Sequence, residues 1–147
     1  MMGIADAESV EHGTPSGNYV IVPVSCALPN RAPGAPKLSG EDELRIMPGT
    51  ILHRILGSDR TREGFFCNYE VSPLFETRLE AAGLRISARG PQNEIRAVEL
   101  PGHRFYLATL FQPQLTSEAT GEPHPVIAAY LEAARAFQAA RQTAADD

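Results

Sequence analysis

Apolar and polar positions in this chain fall into short blocks punctuated by Pro and Gly. The most continuous block runs from Phe105 to Phe111, apolar β-formers with a single Thr, preceded by Pro101-Gly102 and stopped at Pro113. Such a block predicts a strand buried on both faces, at the centre of a sheet. Open α/β sheets place ligands in the crevice outside the carboxyl ends of their strands. Here that position is held by Gln112 and Gln114.

The other blocks follow in order. Residues from Met1 to Gly17 keep no period and suggest a helix end running into an irregular segment. Tyr19 to Ser25 predicts a strand with an edge or bend at Pro23. Cys26 to Gly40 is Pro- and Gly-rich and predicts a loop. Glu43 to Met47 alternates as a short strand, stopped by Pro48-Gly49. Thr50 is placed to cap a short helix from Ile51 to Leu56, with Gly57 closing it. Phe65 to Val71 predicts one strand, and Ser72-Pro73 starts a helix from Leu74 to Ala82, ended by Gly83. Leu84–Ala88 and Ile95–Leu100 alternate on either side of a turn-rich stretch, the pattern of a hairpin. Leu115 to Pro123 is a polar loop. His124-Pro125 then opens a last helix whose Val126, Ile127, Tyr130, Leu131, Ala134, Phe137 and Gln138 share one face, predicted to be buried. Residues 143–147 are expected to be a disordered tail.

Composition narrows the picture without identifying a function. A chain of 147 residues supports a single core. A hydrophobic content of 43% and a charged content of 21% are those of a globular protein. The formal charge of -5 leaves no basic footprint, so nucleic acid is not expected as a partner. No apolar run approaches the roughly 18 to 20 residues of a membrane span, so no membrane partner is expected either. The N-terminus lacks the cationic start and apolar core of a signal peptide, which makes the cytoplasm the default location and free thiols the default for Cys26 and Cys67.

Several stretches resemble one family. Phe105 to Gln114 resembles the F-F-V-x-x-Q-F-H-P-E strand that ends the glutaminase domain of CTP synthase, a class I glutamine amidotransferase. Tyr69-Glu70-Val71-Ser72-Pro73 and Leu79 to Arg85 are similar to its R-Y-E-V-N-P and L-E-x-A-G-L-R motifs. Leu44 to Thr50 resembles M-R-L-x-P-G-S, and His124-Pro125 opens a segment like the closing H-P-L-F helix. Met2 to Glu8 resembles the N-V-L-G-x-x-D-A stretch that follows the nucleophile's helix. The nearest resemblance is to stand-alone CTP synthase C-terminal-region-related (seleno)proteins, which share an F-Q-P ending and a Cys like Cys67 before the R-Y motif.

The resemblance implies an α/β fold: the C-terminal half of a flavodoxin-like class I glutamine amidotransferase domain, with a mixed sheet, a hairpin and a long C-terminal helix. It places one partial domain over residues 1–142. In the family, about half the domain, including the Gly-rich turn that carries the catalytic Cys, comes before Gly3. Either another chain supplies those strands or the reading frame begins upstream, and Met2-Gly3 falling inside a family motif favours the second. The implied partners are glutamine or another small molecule, and a protein partner or the missing N-terminal half. No cofactor is implied.

The chemistry departs from the family at each key position. A glutaminase needs a thiolate nucleophile, a His that moves protons and a carboxylate that orients the His. The family's His and Glu fall at Gln112 and Gln114, and an amide does not titrate near neutral pH. Asn68-Tyr69 matches the R-Y pair that contacts substrate, but Asn68 lacks the guanidinium fork that grips a carboxylate. Cys67 and Cys26 are the candidate thiols, and neither lies in a turn that would activate it; buried Cys is also a common core residue. His12, His53, His103 and His124 show no metal-ligand spacing. His124 is expected to pack or cap at its helix start, His103 lies at the wrong end of the strand to replace the base, and Asp6 with Glu8 form a solvated pair. Three roles stay open: an amidotransferase homologue inactive by itself, a binding or regulatory module, and a thiol-based role for Cys67.

Overall fold

The computed structural model describes residues 3–13, 17–24 and 38–143. It holds eight strands and four α-helices in two sheets among the described residues: β1 (Ala7–Ser9), β2 (Asn18–Pro23), β3 (Ser39–Ile46), α1 (Ile51–Leu56), β4 (Arg60–Phe66), β5 (Tyr69–Val71), α2 (Glu76–Ala81), β6 (Arg85–Arg89), β7 (Ile95–Glu99), β8 (Leu107–Thr109), α3 (Pro113–Thr120) and α4 (Pro125–Thr143). The larger sheet runs β4-β3-β6-β7-β8 and the smaller β1-β2-β5. All pairings are antiparallel except β1 with β2, so the architecture is mixed α/β. No described helix is long and apolar enough to cross a membrane.

Local rules account for most elements. β3 buries Leu44 and Ile46 while Glu43 and Arg45 face solvent, the period-two signature of a sheet with one dry face. The Thr50 hydroxyl accepts the His53 N–H at 3.0 Å, and Gly57, at φ 64°, donates its N–H to the His53 carbonyl at 2.9 Å. α1 is thus capped at both ends as its sequence predicts. The β6–β7 hairpin also forms where alternation placed it.

Two cores result. Leu44, Ile46, Leu52, Ala88, Ala97, Phe111 and Val126 pack between the larger sheet and the α1 and α4 helices. Phe75, Leu79 and Leu84 form the second, joined by Val20, Val71, Val98 and Tyr106 where the two sheets meet.

The structure corrects several expectations. Phe105–Phe111 is not one central strand: β8 covers only Leu107–Thr109, lies at the sheet's edge among the described strands, and exposes Ala108. Its apolar residues are divided between the two cores, Tyr106 going to the second while Leu107 and Phe111 go to the first. Phe65–Val71 is two strands in different sheets, broken at Cys67-Asn68. The N-terminal segment forms β1 and a 3₁₀ turn (Val10–His12) rather than a helix end. Leu74–Ala82 opens as a 3₁₀ turn (Pro73–Phe75) before α2. The polar loop expected from Leu115 to Pro123 is helical as far as Thr120, the end of α3, which has Pro113 at its first position, where a missing N–H costs nothing. On α4 only Val126 is buried; Tyr130, Leu131 and Phe137 are exposed. α4 also runs to Thr143, so the tail expectation fails at that residue, and 144–147 lie outside the described residues. The loop expected from Cys26 to Gly40 lies outside them from 26 to 37, and Ser39-Gly40 belong to β3.

Candidate functional site: the Gln112 turn

The chain leaving β8 crosses from one edge of the curled sheet to the other. The Leu110 N–H donates to the Arg96 carbonyl on β7 at 2.8 Å, and the Gln112 N–H donates to the Gly64 carbonyl on β4, also at 2.8 Å. Two residues therefore bridge β7 to β4 and draw the sheet toward closure. Gly64 is needed there: a Cβ would stand 3.1 Å from the Leu115 Cδ1 of α3, tighter than ordinary contact. Phe111, 3% exposed, anchors the crossing in the first core.

Gln112 is half-buried at the N-cap position of α3, and its side chain makes no capping hydrogen bond. Its carbonyl accepts the Leu115 N–H at 3.0 Å. Gln114 is exposed in the first turn of α3. The two side chains offer amide donors and acceptors and no group able to move a proton at neutral pH.

Asn68 and Tyr69 occupy the break between β4 and β5. The Asn68 carbonyl accepts the Val24 N–H at 2.8 Å, and its Oδ1 accepts the Leu38 N–H at 2.8 Å. Asn68 thereby holds β2's end and β3's approach, a structural task absent from the sequence expectation of substrate contact. Tyr69 pairs with Pro23 in the smaller sheet.

Cys67 is a half-buried free thiol. It lines a cavity of about 210 Å³ with Asp42, Glu70, Gln92, Glu94 and Arg96, whereas Gln112, Gln114, Asn68 and Tyr69 do not line it. Arg96 is already held there by Glu94 at 2.9 Å and Asp42 at 3.3 Å. Cys67 and the two amides therefore do not share that cavity. Cys26 lies outside the described residues. No described cluster of His, Cys, Asp and Glu is placed to hold a metal ion.

Sequence reasoning also missed the buried carboxylates Glu99 and Glu63. Glu99, 1% exposed, accepts the Ile51 N–H at 2.7 Å and so stabilises the N-terminus of α1. Glu63 receives His124 Nε2 at 3.1 Å, with both side chains buried. His124 was expected to pack or cap, and it does both: its Nδ1 accepts the Val126 N–H at 3.1 Å and its ring lies against Phe111. The sequence signal was the His-Pro step at a helix start; its partner, 61 residues away, left none. Asp6 is exposed as expected, but Glu8 is half-buried and paired with His12.

No family model matches the chain. A CTP synthase of Caldivirga maquilingensis is 36% identical over 138 residues, 92% of this chain and 25% of that protein. CTP synthases of Thermus thermophilus and Methanothrix thermoacetophila are 33% and 36% identical, covering 92% and 91% of this chain. The chain spans about a quarter of the length of these relatives. Among solved structures, the glutaminase domain of Trypanosoma brucei CTPS with bound acivicin superposes with a TM-score of 0.80 at 30% identity, over 92% of this chain and 53% of that one. Fold and sequence together define a partial glutamine amidotransferase domain. Within that class, the chain is a homologue of CTP synthase and corresponds to about half of its glutaminase domain.

Proposed function

We propose that this chain descends from the glutaminase of CTP synthase, retains a small-molecule-binding or regulatory role, and does not itself hydrolyse glutamine. The observation that carries this reading is the Gln112 turn. Its backbone is fixed to β4 and α3, yet the positions matching the family's His and Glu carry Gln112 and Gln114. An ordered scaffold with no proton-moving group suits recognition better than acyl transfer. Asn68 supports the same conclusion, because its side chain accepts the Leu38 N–H and carries no charge to hold a carboxylate. On this reading residues 1–142 form one partial domain, Gln112 and Gln114 are substituted triad positions, and Asn68-Tyr69 mark the former substrate side. The bound acivicin of the trypanosomal domain supports a small molecule as ligand.

A second reading rests on coverage. The chain matches only 53% of the solved glutaminase domain, so a polypeptide supplying the remainder would complete a class I glutamine amidotransferase. Its ammonia would then serve the ligase step of pyrimidine nucleotide synthesis, the amination of UTP to CTP. Glutamate release from glutamine, measured for this chain, for a form extended upstream in frame and for a Cys67→Ala variant of each, separates the readings. Turnover by neither form, with both folded by circular dichroism, is expected. Turnover by the extended form that survives Cys67→Ala would overturn the first reading and establish the second.

A further inference from the structure

The His124–Glu63 pair has no part in either functional reading, yet it ties the start of α4 to β4 and, through Ser117, to α3, the two elements hydrogen-bonded to the Gln112 backbone. Glu63 lies on β4 and is 2% exposed; His124 precedes α4 and is 4% exposed. His124 is the N-cap residue of α4, whose first position is Pro125, and the Ala128 N–H closes the first helical turn on the His124 carbonyl at 3.1 Å. The cap itself is the imidazole: Nδ1 accepts the Val126 N–H. An Nδ1 that accepts bears no proton, so the neutral ring carries its hydrogen on Nε2 and donates it to Glu63 Oε1. Thr61 Oγ1 donates to the same oxygen at 2.9 Å, while Glu63 Oε2 meets no partner among the described residues. The His124 N–H donates to Ser117 Oγ at 2.8 Å, and that hydroxyl reaches the Pro113 carbonyl at 3.3 Å.

We propose that His124 and Glu63 form an acid-operated latch that fixes the start of α4 and, through Ser117 and Phe111, the Gln112 turn. A proton arriving at Nδ1 consumes the lone pair that receives the Val126 N–H. Two donors then face each other, and a cation sits at a helix N-terminus, where the helix dipole disfavours it. The Glu63 carboxylate attracts that cation but cannot restore the cap, because its hydrogen bond to Nε2 already exists and the new proton lands on the opposite side of the ring. Other charges near the latch are mutually paired or at the surface. Asp42 on β3 and Arg96 on β7 border the small void beside Glu63 and bind each other at 3.3 Å. Arg54 on α1 and Glu132 on α4 line the groove between their helices and are exposed.

The test uses the full chain labelled with ¹⁵N-histidine. Long-range ¹H–¹⁵N spectra at neutral pH are expected to show His124 with a bare Nδ1 and a protonated Nε2. Hydrogen-exchange protection of the Val126, Ile127 and Gln112 amides, corrected for intrinsic rate, is expected to fall about five- to tenfold once acid places a proton on Nδ1, the loss of one helix cap. Amides of the β6–β7 hairpin should hold. His124→Asn keeps a capping acceptor that does not titrate, so its protection should not change with pH. A proton on Nδ1 at neutral pH, wild-type protection that does not fall with acid, or an equal loss in His124→Asn would each overturn the proposal. If His124→Asn does not fold, the tautomer and the wild-type exchange profile decide it by themselves.

Discussion

Phe111 offers the sharpest separation between an apolar run and its actual packing. Its side chain is 3% exposed and sits among Leu44, Ile46, Leu52, Ala88, Ala97 and Val126. These neighbours belong to β3, α1, β6, β7 and α4, so removing the ring leaves a cavity walled by five elements that cannot all move inward. Phe→Ala changes at such sites cost about 3–5 kcal/mol, from lost transfer free energy plus the unfilled cavity. A domain of this size has about 5–15 kcal/mol in total. With a urea slope of about 2 kcal/mol/M, Phe111→Ala should lower the unfolding midpoint by about 2 M. Leu131→Ala, at a residue 46% exposed on α4, should cost less than about 1 kcal/mol. The chain has no Trp, so far-UV circular dichroism is the appropriate probe. Equal midpoint shifts for the two variants would refute the packing argument, since the helix pattern alone places Leu131 on a buried face.

Thr50→Ala removes the α1 cap and also the hydroxyl's 2.7 Å donation to the Met47 carbonyl, so about 1–2 kcal/mol should be lost in the same urea titration. Asn68→Ala deletes the acceptor for the Leu38 N–H, and exchange at the Leu38 amide should accelerate while β6–β7 amides stay protected; an unchanged Leu38 rate would mean that the bond does not persist in solution. Restoring the family's side chains with Gln112→His and Gln114→Glu together should produce no glutamate from glutamine, because no described thiol lies at that turn. Measurable turnover that is abolished by a further Cys67→Ala change would show that Cys67 reaches it after all.

The patterns legible in the sequence were those made within a few residues. Thr50 and Gly57 bracket α1 because a cap needs only its own turn, and Leu44 with Ile46 marked the dry face of β3 because alternation is a property of one strand. The β6–β7 hairpin and the family motifs were visible for the same reason. Motif order even carried the fold class, which the trypanosomal glutaminase domain confirms.

Tertiary structure decided what depends on partners far along the chain. Whether Phe105–Phe111 continues as a strand turns on where Leu110 and Gln112 find acceptors, and those are the carbonyls of Arg96 on β7 and Gly64 on the far edge strand β4. The amphipathic face of α4 was correctly periodic, but periodicity states which residues could be buried together and not whether a surface covers them. The pairing of Glu63 with His124 joins residues 61 apart, and no local rule predicts it. Residue types and local spacing therefore determined α1, the alternation of β3, the β6–β7 hairpin, the ancestry and the lack of a base at positions 112 and 114. Long-range hydrogen bonding and the division of apolar side chains between two cores decided how that turn is held, because those terms depend on which distant segments meet.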